Sequence, residues 1–341
     1  MLANIMRLVQ LARKDGTRKV AVVDGEKLRA LDRFDSIYRL AMSAISAPCG
    51  LASFVSSEPA GRELDYEEIY CGRSAWRLLP PIDHPETNAK CLVSGTGLTH
   101  TASAEKRRAM HSSMVQPENP PENDSIRIYK WGLEGGRPDP GAVGVAPEWF
   151  YKGTGAILRA CGQPLTAPAF AEDAGEEPEI AGVYLVDPGG QPRRVGLAIG
   201  NEFADHQFEK RNYLYLAASK LRECALGPEL WIDPRFEDVR GRVAIERDGA
   251  TIWSAQLATG EKNMCHSLQN IEHHHFKFPE HRQPGDVHVH FFGADAFSFG
   301  EGIIIRDKDI VEISFDSFGR ALRNPIRFQP GEKCLITASP V

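Results

Sequence analysis

Glu176-Glu177-Pro178-Glu179-Ile180-Ala181-Gly182-Val183-Tyr184-Leu185-Val186 runs a pair of carboxylates two residues apart straight into an unbroken apolar, β-prone segment. Residues i and i+2 of a strand share one face. Glu177 and Glu179 therefore point the same way and repel, and a divalent cation is the simplest thing that relieves such a pair. Val195-Gly196-Leu197-Ala198-Ile199-Gly200-Asn201-Glu202 reads as a second strand that ends at Gly-Asn and delivers Glu202 to its end, with Asp205 and His206 just beyond. Three hard oxygen ligands and no thiol favour magnesium or manganese. Lys220 follows in Ala218-Ser219-Lys220-Leu221-Arg222, and Leu226-Gly227-Pro228-Glu229-Leu230 reads as a turn that closes the unit.

The order Glu-x-Glu, then Asn-acid at a strand end, then Lys before Leu-Gly-Pro resembles the core of the fumarylacetoacetate hydrolase family. Gly95-Thr96-Gly97-Leu98 and Trp149-Phe150-Tyr151-Lys152-Gly153 before it extend the resemblance over most of the chain. So do Gln283-Pro284-Gly285-Asp286-Val287 and Leu322-Arg323-Asn324-Pro325 after it. The resemblance implies a mainly β (α+β) fold, a mixed sheet folded into a roll or incomplete barrel with few helices. It also implies two parts: a small N-terminal β domain over residues 1–85 without chemistry of its own, and a catalytic domain over 86–341.

The 341 residues, 42% of them hydrophobic, suffice for one large domain or a small one beside a larger one. Lys and Arg number 40 against 46 Asp and Glu with no block of like charge, which argues against nucleic acid as the main partner. Cys49, Cys71, Cys91, Cys161, Cys224, Cys265 and Cys334 are odd in number and form no Cys-x-x-Cys pair, so they read as reduced thiols of a cytoplasmic protein. No apolar run reaches the roughly 18 residues of a membrane span, and the N-terminus has no continuous apolar signal core. The expectation is a soluble, cytoplasmic protein.

Arg7 to Leu31 alternates around Lys14-Asp15-Gly16 and Asp24-Gly25 and predicts an antiparallel meander, followed by a helix over Ser36 to Ile45. Leu78-Leu79-Pro80-Pro81-Ile82-Asp83-His84-Pro85 predicts an extended linker. Lys90 to Leu98 is an apolar strand ending in glycines, where a ligand can approach the backbone closely. Met114 to Pro140, rich in Pro, Glu, Asn and Gly, predicts a surface excursion or lid. Later strands are expected around Gly241 to Leu257, with Asp248-Gly249 as a hairpin turn, and near Gly302 to Ile305 and Ile310 to Phe315. Ser267 to Phe276 predicts a short helix. His273-His274-His275 with His281 has the composition of a soft-metal site, yet consecutive helical positions point in different directions, so these read as surface histidines. His288 and His290 share a strand face and read equally as core residues.

For the site, the resemblance implies that Glu177, Glu179 and Glu202 hold Mg²⁺, with Mn²⁺ as the alternative. Glu202 stands where the family usually has Asp, and its extra methylene moves the carboxylate about 1.5 Å; Asp205 is the reserve ligand. Lys220 stands near the substrate oxygens, as enolate stabiliser or as base. Lys152 binds the substrate carboxylate, and Gly97, Leu98, Thr99, Asn201, Gly293 and Ala294 line the substrate. The hydrolases of the family carry a water-activating His-Glu dyad on a lid; here those positions fall on Ser103 and Lys106. His100 and Glu105 stand nearby at a different spacing. Ser103, Thr99 or His100 then assists departure of a hydroxyl.

Family members bind 2-oxo acids through the metal, which stabilises the enolate formed when the adjacent C–H is deprotonated. With a dyad, water cleaves a carbon–carbon bond; without it, the enolate expels a β-hydroxyl. Gly97-Leu98-Thr99-His100 and Glu202-Phe203-Ala204-Asp205-His206 resemble sugar-acid enzymes that dehydrate 2-keto-3-deoxy-pentonates to 2-oxoglutarate semialdehyde. The reading is thus a Mg-dependent dehydratase of a 2-oxo sugar acid in pentose catabolism, expected as a homodimer. An acylpyruvate or diketo-sugar-acid C–C hydrolase using His100 and Glu105 is the alternative. Decarboxylation of an oxaloacetate-like acid and a non-catalytic sugar-acid binder remain open at this level.

Overall fold

The N-terminal alternation forms the expected meander: β1 (Met6–Arg13), β2 (Arg18–Asp24) and β3 (Lys27–Leu31), paired antiparallel in sequence. The computed structural model describes residues 5–59, 61–102, 104–105, 124–331 and 334–341. A helix over Ile37–Ile45 follows. Ser36 Oγ caps it by accepting from the Arg39 N–H at 3.3 Å, and Ile37, Leu40, Ala41 and Ala44 form its buried stripe. β4 (Glu63–Asp65) and β5 (Trp76–Leu78) flank the meander, and the Pro80 carbonyl accepts from Gln10 Nε2 at 2.7 Å.

Then come β6 (Cys91–Gly95), β7 (Phe150–Thr154), β8 (Leu158–Arg159) and β9 (Leu165–Ala167). The central hairpin is β10 (Pro178–Val186) with β11 (Pro192–Asn201), followed by β12 (Cys224–Ile232). β13 (Val239–Arg247), β14 (Ala250–Thr259), β15 (Val287–Phe291), β16 (Ile310–Phe315) and β17 (Leu322–Phe328) complete the set.

Twelve of these strands form one mixed sheet in the order β4-β3-β2-β1-β12-β11-β10-β15-β6-β7, with β5 on β1 and β8 on β12. The other five form a second sheet, β14-β13-β16-β17-β9. The fold is the α+β one expected, with two sheets and no closed barrel among the described residues. β1 pairs antiparallel with β12, Leu8 opposite Leu230, so the N-terminal strands continue the sheet that carries the site. β10 is buried at all nine positions because both of its faces are covered. Ile180 faces an apolar layer shared with Val243 and Ile313 of the second sheet. Ala181, Val183 and Leu185 face a layer closed by Ile37 and Leu40 of the helix Ile37–Ile45 and by Val55 of a second one, Leu51–Ser57.

Several local expectations are corrected. Leu226 to Leu230 is no turn; it lies inside β12. There Ala198 pairs with Leu230 while Gly200 pairs with Leu226, so the strand carries Gly227-Pro228 in an irregularity that asks no ladder bond of the proline. Gly302 to Ile305 forms no strand, and the stretch from Met114 to Pro140 contains a helix, Asp124–Gly135. Its residues 114–123 lie outside the described ones. The Asp248-Gly249 turn is as expected, with φ of 51° and 80° at its two residues. The helix Leu268–Phe276 is also found, yet His274 and His275 on it are buried. All seven cysteines are unbridged. No helix among the described residues is long and apolar enough to cross a membrane.

Candidate active site

The carboxylates are assembled by the open end of the β10–β11 hairpin. Glu179 pairs with Gly200 and Pro178 with Asn201, and one step further the Glu202 N–H donates to the Glu177 carbonyl at 3.0 Å. Glu177 and Glu202 are therefore cross-strand neighbours, and Glu179 stands two residues along from Glu177. Asn201 fixes the junction: its Oδ1 accepts from the Glu177 and Phe203 N–H groups, each at 3.2 Å. Glu177, Glu179 and Glu202 are all buried, and one oxygen from each lies within 4.8 Å of the others. The residues named from the Glu-x-Glu spacing and the strand end thus meet at one point.

Two lysines enter the same point. Lys220 caps the C-terminal end of the short helix Leu216–Ser219, and its Nζ donates to Glu177 Oε1 and, at 2.5 Å, to Glu202 Oε2. The Phe150 ring lies under it, its centroid 4.9 Å from Nζ. Lys152 Nζ pairs with Glu202 Oε1 at 2.7 Å and donates to the carbonyls of Phe203, at 2.7 Å, and Lys220, at 2.9 Å. An ammonium has three donors. Lys152 thus holds Glu202 and the Lys220 backbone in place, where the sequence reading has it on a substrate carboxylate.

Three carboxyl groups meet two lysines and His206 in a buried space, where like charges repel and burial opposes ionisation. Burial, then the charges of Glu202 and Glu177, push the Glu179 pKa well up, while Lys220 and the Gly293 N–H, donating to Oε2 at 2.6 Å, pull it down. Burial also raises Glu202, against Lys152 and Lys220. Such a set fits a hard divalent cation, which favours the ionised form of all three at once. Asn201 Nδ2 is buried beside the triad without a hydrogen-bond partner, a donor that suits a ligand oxygen.

The glycine-rich loop does something other than expected. A Cβ on Gly95 would overlap the Phe150 ring, and one on Gly97 would overlap Glu148 Oε2. The close approach these glycines allow is taken by the chain's own side chains. Leu98 has φ of 52° and is buried, and Thr99 Oγ1 donates to the Phe292 carbonyl at 2.8 Å. Since that hydroxyl proton is committed, Thr99 Oγ1 accepts from His100 Nδ1 at 2.8 Å, and His100 Nε2 then accepts from Thr259 Oγ1 at 3.1 Å. Both nitrogens are used, and burial drives the His100 pKa down to about 3. Glu105 is exposed, so the two form no dyad. Ser103 lies outside the described residues. Gly293 follows β15 with φ of 95°, a Cβ on it would overlap Thr99 Oγ1, and Ala294 beside it is buried. Asp205 is taken up elsewhere: it caps the helix His206–Arg211 and pairs with Arg222 at 2.9 Å.

Glu148 is a buried carboxylate beside the Gly97 loop that the sequence reading does not single out. Glu148, Phe150 and Lys152 are buried while Trp149 and Tyr151 between them are exposed, so the three share the inward face leading into β7. Phe150 touches Lys220, Lys152 touches Glu202, and Glu148, next in line, accepts from the Tyr213 hydroxyl over Gly97. The period-two alternation through Glu148-Trp149-Phe150-Tyr151-Lys152 is the signal that finds it.

No protein-family model matches the chain, and no curated protein matches it in sequence. Solved structures do match. 2-Keto-3-deoxy-D-arabinonate dehydratase complexed with magnesium and 2,5-dioxopentanoate aligns with a TM-score of 0.70 and 19% identity, over 96% of this chain and 100% of that one. A hexagonal crystal form of 2-keto-3-deoxyarabinonate dehydratase aligns at 0.71, with the same identity and coverage. The 2-hydroxyhepta-2,4-diene-1,7-dioate isomerase of Mycobacterium marinum aligns at 0.58 with 18% identity, over 96% of this chain and 100% of that one. The chain therefore has the fumarylacetoacetate-hydrolase-like α+β fold, and in that fold it resembles the 2-keto-3-deoxyarabinonate dehydratases.

Proposed function

We propose that this protein is a Mg²⁺-dependent dehydratase of a 2-keto-3-deoxy sugar acid, converting a 2-keto-3-deoxy-pentonate to 2,5-dioxopentanoate (2-oxoglutarate semialdehyde) with loss of one water. The observation that carries the reading is the buried Glu177, Glu179 and Glu202 cluster, with Lys220 in contact with two of its members. Glu177, Glu179 and Glu202 hold the metal; Mn²⁺ suits the same donors. Bound there, the cation supplies Lewis-acid polarisation of the 2-oxo group. Lys220 first gives up one ammonium proton to solvent and, as the free amine, receives the C3 proton of the substrate, while Lys152 keeps Lys220 and Glu202 in register. Asn201 Nδ2 and the backbone after β15 orient the substrate oxygens. Glu148, held by Tyr213, passes a proton to the departing C4 hydroxyl. Tautomerisation of the resulting C3–C4 alkene with its C5 hydroxyl gives the aldehyde, so substrate and product differ by one water.

The committed nitrogens of His100 and the exposed Glu105 favour dehydration over dyad-assisted C–C hydrolysis. The proposed organisation keeps residues 1–85 as support and 86–341 as the catalytic part, in a cytoplasmic homodimer. Metal-stripped protein incubated with 2-keto-3-deoxy-pentonate isomers, with and without Mg²⁺, tests the reading by mass spectrometry of the products. Loss of about 18 Da, one water, only when metal is present supports it. Unchanged pentonates together with cleavage of an acylpyruvate would overturn it in favour of the hydrolase.

A further inference from the structure

His206 stands against the metal-ligand cluster and takes no part in the reaction proposed above. It opens the helix His206–Arg211 and is fully buried. Its Nε2 lies 2.9 Å from Glu177 Oε1, the same oxygen that Lys220 contacts. The rings of Phe297 and Phe299 flank the imidazole with centroids at 4.9 and 5.4 Å. On its other edge Nδ1 faces Asp173 Oδ2 at 3.9 Å, both atoms buried and outside hydrogen-bond reach of any partner. The ring sits directly over Gly175, where a Cβ would overlap Nδ1, and Gly175 and Ala204 exchange two backbone hydrogen bonds at 2.9 and 2.8 Å. Ring plane, backbone and aromatic walls all hold Nε2 at one place.

We infer that His206 is a positioning residue for metal binding: its Nε2–H fixes the rotation of the Glu177 carboxylate and so sets the affinity of the triad for its cation. The inference rests on the metal reading given under the proposed function. A glutamate has three side-chain torsions, and its last one is broad and soft. A donor on one oxygen converts that freedom into a single orientation before the cation arrives, and outer partners of this kind are worth about ten- to a hundred-fold in metal affinity.

The test exploits reach. A glutamine amide at position 206 extends its nitrogen about as far as Nε2, whereas an asparagine amide stops near Nδ1; both are polar and smaller than the imidazole. Metal-stripped protein is titrated with Mn²⁺ and free ion is read by electron paramagnetic resonance, with thermal unfolding recorded alongside. His206→Asn is expected to weaken Mn²⁺ binding about ten- to a hundred-fold, and His206→Gln to restore it to within a few-fold of the parent. Equal affinities in both variants and the parent overturn the inference, as does an equal loss in both, which marks a purely structural role. The parent and Glu179→Gln separately read the underlying site. A parent that binds no Mn²⁺, or a Glu179→Gln variant that binds as well as the parent, removes the metal reading itself and the inference with it.

Discussion

Two buried polar clusters lie on the large sheet, and they are built in opposite ways. At the end of the β10–β11 hairpin, three carboxyl groups crowd one point with two lysines and His206, and burial pushes Glu179 and Glu202 above their ordinary pKa. On the face of β15 covered by the helix Leu268–Phe276, histidines pair off as neutral groups. Trp149 Nε1 donates to His275 Nδ1 at 3.2 Å, and His275 Nε2 then donates to His288 Nδ1 at 3.0 Å. Ser94 and Thr96 take the two nitrogens of His290 at 2.8 and 2.7 Å. The histidine-rich stretch that looks most like a metal site in sequence is packing, and the plain Glu-Pro-Glu is where unresolved charge collects. The histidine cluster also keeps one buried nitrogen without a hydrogen bond, His288 Nε2, but its members are neutral; the carboxylate cluster differs in gathering like charges that burial opposes.

The largest expected effect breaks the first cluster. Glu179→Gln removes one hard anionic ligand while keeping an acceptor for the Gly293 N–H. A lost metal contribution of several kcal/mol corresponds to a fall in metal-dependent turnover of roughly a thousand-fold or more. Because a carboxyl group whose ionisation is opposed by burial and by Glu202 and Glu177 is replaced by a neutral amide, the metal-free variant should unfold at a temperature no lower than the metal-free parent. Retained activity would dissolve the contrast between the clusters, and so would a strong loss of metal-free stability.

Buried histidines and buried carboxyl groups, inside the two clusters and beside them, should also answer pH with opposite sign. Burial lowers the pKa of His100, His288 and His290 to about 3 and that of His266 to about 4. Each is neutral in the folded chain and takes up a proton on unfolding below its ordinary value near 6.5. Their stabilisation is complete above that value and is lost as pH falls through the window down to about 3 to 4. Each costs up to about 1.4 kcal/mol per pH unit, so the four together give roughly 5 kcal/mol per unit at the steepest. Burial raises Glu179 and Glu202, and takes Glu176 to about 7. Those groups hold a proton in the folded chain at pH values where the unfolded chain has released it, so stability falls as pH rises through their range. Urea unfolding of metal-free protein should show a net loss on acidification from pH 6.5 to 5, and added Mg²⁺ should stabilise more at pH 7.5 than at 5.5. A flat profile together with a pH-independent Mg²⁺ effect would contradict both assignments.

What the sequence discloses follows the same divide. Glu177, Glu179 and Glu202 were legible because strand periodicity and a Gly-Asn strand end are local signals, and the meander, the Ser36 cap and the Asp248-Gly249 turn are local too. Glu148 was legible only in part: its alternation with Phe150 and Lys152 is local, but its meeting with Tyr213 and Gly97 depends on three distant segments. The commitments of Lys152 and His100 were not legible at all, because the Phe203, Lys220 and Thr259 groups that hold them are supplied by tertiary packing. Likewise Leu226 to Leu230 has turn composition, and only its neighbours β11 and β1 make it a strand.

A smaller effect is expected inside the histidine cluster. His290→Ala leaves the Ser94 and Thr96 hydroxyls unpartnered and opens a cavity between β6 and β15. The cost should be about 2–4 kcal/mol of unfolding free energy, with Mn²⁺ affinity unchanged. A variant of parental stability that had lost its metal would show that the histidines belong to the chemistry after all.

The smallest is a single cap. Ser267 Oγ accepts from the Asn270 N–H at 3.2 Å at the start of the helix that carries His273, His274 and His275. Ser267→Ala should cost about 1 kcal/mol, read in urea, with turnover and Mn²⁺ affinity at parental values. The helix packs on β10 through Phe276 against Tyr184, toward the opposite end of that strand from Glu179, so a loosened first turn lies away from the carboxylates. If so small a change at the cap lowered metal affinity, the two clusters would be one cooperative unit, and the neutrality of the histidines would matter to the charge of the triad.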